Sequence, residues 1–153
     1  MSALASSARI RTFLRTFLIQ GSWNYRSLIG SGFAYALLPM LRAKFRGDPE
    51  GLQRAVERHL RPFNSHPYLV GIAAGAVARL ENEHADPQTI GRFKDGIRGS
   101  LGSLGDGLVW ASLRPLALLA ALTVSWLGGA PYLVIAIFLI LYNAGHLWLR
   151  AWS

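Results

Sequence analysis

PLALLAALTVSWLGGAPYLVIAIFLILYNAGHLWL, residues 115–149, runs for 35 positions without an Asp, Glu, Lys or Arg. It is broken in the middle by Gly128-Gly129-Ala130-Pro131. A spanning helix needs about 20 apolar residues to cross roughly 30 Å of hydrocarbon. Two segments have that length: Leu108–Leu127, which carries Arg114, and Pro131–Leu149, which carries His146. The first span is entered through a charged, glycine-rich approach, Gly96 to Arg114. A charged and interrupted approach suits a transport protein better than a plain anchor, because polar groups at membrane depth are retained where they face a path or a partner.

Working outward, composition agrees with a bilayer. The chain has 153 residues, 52% hydrophobic and 16% charged, with five Trp. That length predicts one domain, residues 1–153. The net charge of +8 is unevenly placed: the first 47 residues hold seven basic residues and no acid. Such a block fits nucleic acid or an anionic membrane surface. The neighbouring apolar segments favour the membrane, and the basic residues are not interleaved with aromatics as a nucleic-acid patch requires. There is no cysteine, so disulfides and thiolate metal sites are excluded. No His, Asp or Glu spacing matches a metal site, and no cofactor is expected. The N-terminus reads poorly as a signal peptide, since Arg15 and then Gln20-Gly21-Ser22 interrupt its apolar stretch.

The N-terminal region, 9–47, opens with an amphipathic pattern. Ile10, Phe13, Leu14, Phe17 and Leu18 fall at i, i+3, i+4, i+7 and i+8, with Arg11 and Arg15 opposite. This predicts a basic helix lying in the headgroup region. Leu28–Leu41 is apolar but shorter than a span. Residues 48–107 carry two helix starts, Asp48-Pro49 and Asp86-Pro87, each an Asp cap with Pro at the first helical position. Between them, Leu69–Leu80 is apolar and small, with Gly71 and Gly75 at a spacing that lets backbones approach; it predicts a re-entrant or buried half-helix, closed by Glu81 and Glu83. Gly96, Gly99, Gly102 and Gly105 match no phosphate-binding loop and predict close packing or an unwound segment. Residues 108–149 supply the two spans. The fold class is therefore all-α: an integral membrane protein with amphipathic interfacial helices, short re-entrant segments and about two transmembrane helices.

Five motifs then occur in order. They are Phe17-Leu-Ile-Gln-Gly-Ser-Trp-Asn-Tyr25, Gly32-Phe-Ala-Tyr-Ala-Leu-Leu-Pro39, His59-Leu60, Phe63-Asn-Ser-His-Pro-Tyr68, and Gly105-Asp-Gly-Leu-Val-Trp110 with Leu113-Arg114-Pro115. Together they resemble the IID subunit of the mannose/fructose/sorbose family of bacterial sugar phosphotransferase systems. The resemblance runs from about Arg9 onward. It departs from the family in length, since members are roughly twice as long, in Arg98 and Ser103 within the glycine-rich segment, and in Arg26-Ser27 after the Trp-Asn-Tyr. The resemblance implies a non-catalytic inner-membrane subunit that pairs with a IIC subunit in a homo-oligomeric complex to carry a hexose. Cytosolic IIA and IIB domains would relay a phosphoryl group through histidines of their own. The alternative is a truncated IID-like scaffold or regulator without transport.

Candidate residues follow. Asn64 and His66 sit between Pro62 and Pro67, where they either bond a local turn or present an amide and an imidazole to a sugar or to IIC; neutral groups that donate and accept suit hydroxyls. His66 as a phosphoryl carrier lacks an evident orienting partner. Asp106, Trp110 and Arg114 recur at i, i+4 and i+8 and share a helical stripe, as an ion-paired tie to a neighbour or as a polar lining with Trp110 as a stacking face. Arg114 could instead snorkel to the interface. Gln20 and Asn24, also i and i+4, could reach a partner subunit, while Trp23 and Tyr25 anchor at headgroup level. His146 is expected to bond across helices, and His59 and His84 to lie on a surface helix and a loop.

Overall fold

The computed structural model describes residues 3–153. Among the described residues seven α-helices follow one another: α1 Ala3–Thr16, α2 Gly30–Lys44, α3 Pro49–Leu60, α4 Val70–Asn82, α5 Pro87–Gly105, α6 Arg114–Trp126 and α7 Pro131–Trp152. A π-helical segment, Asp106–Leu113, joins α5 to α6 without a break. Both Asp-Pro signals start helices. Asp48 accepts from the Gly51 N–H at 2.8 Å, and Asp86 accepts from the Gln88 and Thr89 N–H groups at 3.0 and 2.9 Å. These caps satisfy amide groups that have no partner inside the helix.

The core is built around α2. Phe33, Ala36, Leu37 and Leu41 pack with Ala55 of α3, Ala73 and Val77 of α4, Ile90 of α5 and the loop residues Phe63 and Leu69. α2 also lies against the chain leaving α1: a Cβ at Gly32 would collide with the Ile19 backbone, so only glycine permits this approach. Two isolated backbone bridges tie the loops together, Asn24 to Leu28 and Leu28 to Phe63. The Ile29 N–H donates to the Phe63 carbonyl at 3.0 Å, and the Phe63 N–H to the Ser27 carbonyl at 3.2 Å. The Trp23-Asn24-Tyr25 and Phe63-Asn64-Ser65-His66 motifs, far apart in sequence, are thereby pinned side by side.

A buried ionic cluster sits within this core. Glu81, 3% exposed, accepts from Arg58 Nη2 at 2.5 Å and from His59 Nε2 at 2.9 Å, with Lys44 Nζ at 4.0 Å. Burial works to raise the Glu81 carboxyl, but the hydrogen bonds from His59 and Arg58 outweigh it and hold the group below its usual range. His59 is wholly buried, not a surface residue, and burial lowers its pKa against the Glu81 contact. Glu81 lies in the last turn of α4, which Glu83 caps, and it gathers the charges of Lys44 on α2 and of Arg58 and His59 on α3.

Among the described residues two helical stretches are long and apolar enough to cross a bilayer, Pro87–Trp126 of 40 residues and Pro131–Trp152 of 22 residues. A soluble core helix would be buried. Here Leu116, Leu119, Trp126, Tyr132, Ile135 and Ile140 are each more exposed than buried. An apolar surface of this kind needs lipid or partner contacts, and the chain is an all-α integral membrane protein. The glycine-rich approach differs from the expected packed or unwound segment. It is helical throughout, and a Cβ at Gly96, Gly99 or Gly102 would meet open space. Gly105 alone of the four is closely packed, since a Cβ there would strike the His66 ring.

Candidate functional site

The π-helical segment is where the candidate residues converge. An i→i+5 ladder widens the turn, and such segments are rare and concentrate at functional positions. Ser112 stabilises it locally, its hydroxyl donating to the Gly107 carbonyl at 2.8 Å. Gly105 immediately precedes it and admits the imidazole of His66, which enters from the loop before α4. His66 is 3% exposed. Its ring lies 5.9 Å from Trp110 and 5.0 Å from Tyr68, edge-on to both. The Tyr68 N–H donates to His66 Nδ1 at 3.3 Å, which assigns the ring proton to Nε2. That Nε2 is buried and has no hydrogen-bond partner among the described residues. Burial lowers the His66 pKa; the Asp106 carboxylate pulls it up, and Arg150 and His146 push it further down. His66 is accordingly a neutral imidazole at pH 7.

In front of this imidazole stand exposed groups. Asp106 opens the π-helical segment and is exposed, and Trp110 is 47% exposed. The Arg114 guanidinium lies over the Trp110 ring, 5.6 Å from its centroid. No Asp106–Arg114 ion pair occurs among the described residues, so Arg114 meets an aromatic face where a carboxylate tie was the simpler expectation. Asn64 is exposed, two residues from His66. The structure thus brings His66, Asp106, Trp110 and Arg114 to one region of the molecule, with Asn64 on the same loop as His66.

Gln20 and Asn24 do not join it as a helical pair, because the chain after Thr16 is a series of turns. Gln20 is exposed. Asn24 is spent locally: its Oδ1 accepts from the Arg26 and Ser27 N–H groups at 3.0 and 2.9 Å, and its Nδ2 donates to the Ser22 carbonyl and the Ser27 hydroxyl. Trp23 and Tyr25 are exposed and packed edge to face at 4.8 Å, as interfacial anchors would be.

Sequence reasoning missed the continuation of the cluster into α7. The Tyr68 hydroxyl is 2.9 Å from that of Tyr142, and its ring stacks on His146 at 3.9 Å. Arg150, 5% exposed, donates from Nε to His146 at 3.3 Å and from Nη1 to the Thr16 carbonyl at 2.6 Å. His146 therefore makes its hydrogen bond within α7 and reaches across helices by stacking. The signal was present: Tyr142, His146 and Arg150 recur at i, i+4 and i+8 on one helical face.

The family model for the PTS system mannose/fructose/sorbose family IID component matches residues 3–153. The chain belongs to this IID family. It is 32% identical over 136 residues to the mannose-specific EIID component of Escherichia coli strain K12, covering 86% of this chain and 47% of that protein. It is 32% identical over 137 residues to the fructose permease IID component of Bacillus subtilis strain 168, covering 86% and 49%. Among solved structures it superposes on a chain of the mannose transporter ManYZ in complex with microcin E492, with a TM-score of 0.88 and 29% identity, covering 99% of this chain and 56% of that one. The chain spans about half the length of the curated relatives it matches. All the IID-like motifs lie within the matched region, and the π-helical segment carries the last of them.

Proposed function

We propose that this IID-family chain is a non-catalytic subunit of a phosphoenolpyruvate-dependent sugar transporter, forming part of a hexose path together with a IIC subunit in the bacterial inner membrane. The observation that carries this reading is the π-helical segment leading into α6, with Asp106 and Trp110 exposed on it, Arg114 exposed just beyond it and His66 buried behind. An ionised carboxylate accepts from two sugar hydroxyls, an exposed indole offers a flat apolar face to a pyranose ring, and the Asn64 amide both donates and accepts. His66 is a positioning residue in this scheme: inserted against Gly105, its ring holds the Trp110 edge in place. The chain needs no phosphorylated group of its own. His66 is neutral, and its Nδ1 is already engaged by the Tyr68 N–H; IIA and IIB would carry the phosphoryl group in the cytosol.

Uptake of labelled hexose in cells carrying the companion subunits tests the proposal. Uptake is expected to fall to background when this chain is deleted and to return on complementation. Uptake that survives deletion overturns it. Association with IIC that persists without any contribution to uptake would identify a scaffold or regulator instead.

A further inference from the structure

A second feature lies away from the π-helical segment. α1, α4 and the end of α7 enclose an open groove of about 710 Å³. That is within the ~300–1,000 Å³ of ordinary ligand clefts. Its floor is apolar and smooth, from Phe13 and Met40 to Ala74, Gly75 and Ala78; Arg9 and Arg79 stand among the residues that line it. The Thr12 hydroxyl lines it too. Thr12 is 9% exposed, and its Oγ1 is buried with no hydrogen-bond partner among the described residues. A buried hydroxyl without a partner is uncommon, and here it borders a space able to supply one.

We propose that this groove binds an anionic phospholipid, with its phosphodiester against Arg9 and Arg79 and one acyl chain along the floor. Three observations select that occupant over a soluble ligand or a second protein. The groove lies at the end of the 22-residue α7 span, whose Arg150 and Ala151 line it together with the following Ser153. Trp148 and Trp152, exposed and stacked 6.3 Å apart, mark the same level, which is the headgroup depth where Trp is enriched. Ile10 and Leu14 on α1, and Leu18 just after it, are exposed apolar residues beside the groove-lining Arg9, Thr12 and Phe13, as in a helix lying in the interface. The charge also fits. Arg79 engages Glu83 through Nε at 2.8 Å, an exposed i, i+4 pair of the kind worth little. The remaining guanidinium donors are available to a phosphate, which Arg binds through charge-assisted hydrogen bonds. Arg150 is committed to Thr16 and His146 and closes the groove's end.

Native mass spectrometry of the purified chain released from a non-ionic detergent tests the assignment. The probes are phosphatidylglycerol, phosphatidylcholine with the same acyl chains, and glycerol phosphate. Phosphatidylglycerol should be retained about tenfold better than phosphatidylcholine, as two surface cations would favour it. Gly75→Leu puts bulk into the groove from a position where a Cβ meets open space. This variant and Arg79→Gln should each reduce retention to the phosphatidylcholine level. Unchanged thermal unfolding of Gly75→Leu confirms that the variant is folded, and its result decides the matter if Arg79→Gln is unstable. Equal retention of the two lipids, or variants that bind phosphatidylglycerol as the native chain does, would overturn the proposal. Glycerol phosphate bound as well as the lipid would also overturn it, in favour of a soluble phosphate ligand.

Discussion

His59 and His66 are both enclosed by other parts of the chain, and burial lowers the pKa of each. Their protonation is therefore linked to folding. The unfolded chain takes up protons near the ordinary histidine value of about 6.5, whereas the folded chain does so only at lower pH. Between those limits the unfolded state binds more protons, so stability rises with pH across that window. The midpoint of thermal unfolding in detergent should fall as pH is lowered from 7 towards 5, and His66→Gln should reduce the slope. A flat profile would mean that these imidazoles are open to solvent. Glu81 acts in the same direction at lower pH: its folded value is depressed, so its contribution is lost only as pH falls below the ordinary carboxylate range. His59 and Glu81 show where residue-level reading stops. Their neighbours in sequence are ordinary helix-surface residues, and only the packing of α3 and α4 against α2 brings the two side chains within 2.9 Å.

The helix from Pro87 to Trp126 is the element on which the account turns. Its two helix signals, Asp86-Pro87 at the start and the apolar run after Arg114, were legible in the sequence. Their continuity was not, because glycines every third residue argue against a helix by propensity. The structure separates those glycines by environment. A Cβ at Gly102 meets open space, while one at Gly105 strikes the His66 ring. Gly102→Ala should accordingly stabilise the isolated chain by about 0.5–1 kcal/mol through backbone entropy. Gly105→Ala should destabilise it by about 1–3 kcal/mol, as overpacking does, and displace His66 from Trp110. Chemical denaturation of the two variants, read by tryptophan fluorescence, checks the opposite signs. The π-helical geometry itself had no sequence signature. Nothing in Asp106-Gly-Leu-Val-Trp110 distinguishes i→i+5 from i→i+4 bonding, yet the geometry decides which side chains stand beside His66.

For the whole molecule, the two spans and the amphipathic start were readable from hydrophobic period and length, because the bilayer imposes both. The core around α2 was not, since Phe33, Phe63 and Ile90 meet only through the tertiary fold. Charge suggests an orientation that we propose: the seven basic residues of the first 47 favour the cytoplasmic side for that region, which would put the turn between α6 and α7 on the other side. The absence of native cysteine makes this directly testable. A thiol introduced by Leu127→Cys should react with an impermeant reagent in intact cells, and one introduced by Arg46→Cys only after permeabilisation; the reverse pattern would invert the topology.

Whether the π-helical segment lines a sugar path is tested most directly by Asp106→Asn. The change keeps the side-chain size, and Asp106 is exposed, so folding should be unaffected. Hexose uptake and co-purification of IIC should be measured on the same membranes. The account predicts that uptake drops about tenfold or more while IIC is recovered at the native level, since a charged acceptor lost from a sugar contributes about 1.5–3 kcal/mol. Uptake equal to that of the native chain, or uptake lost only in proportion to lost IIC, would contradict it.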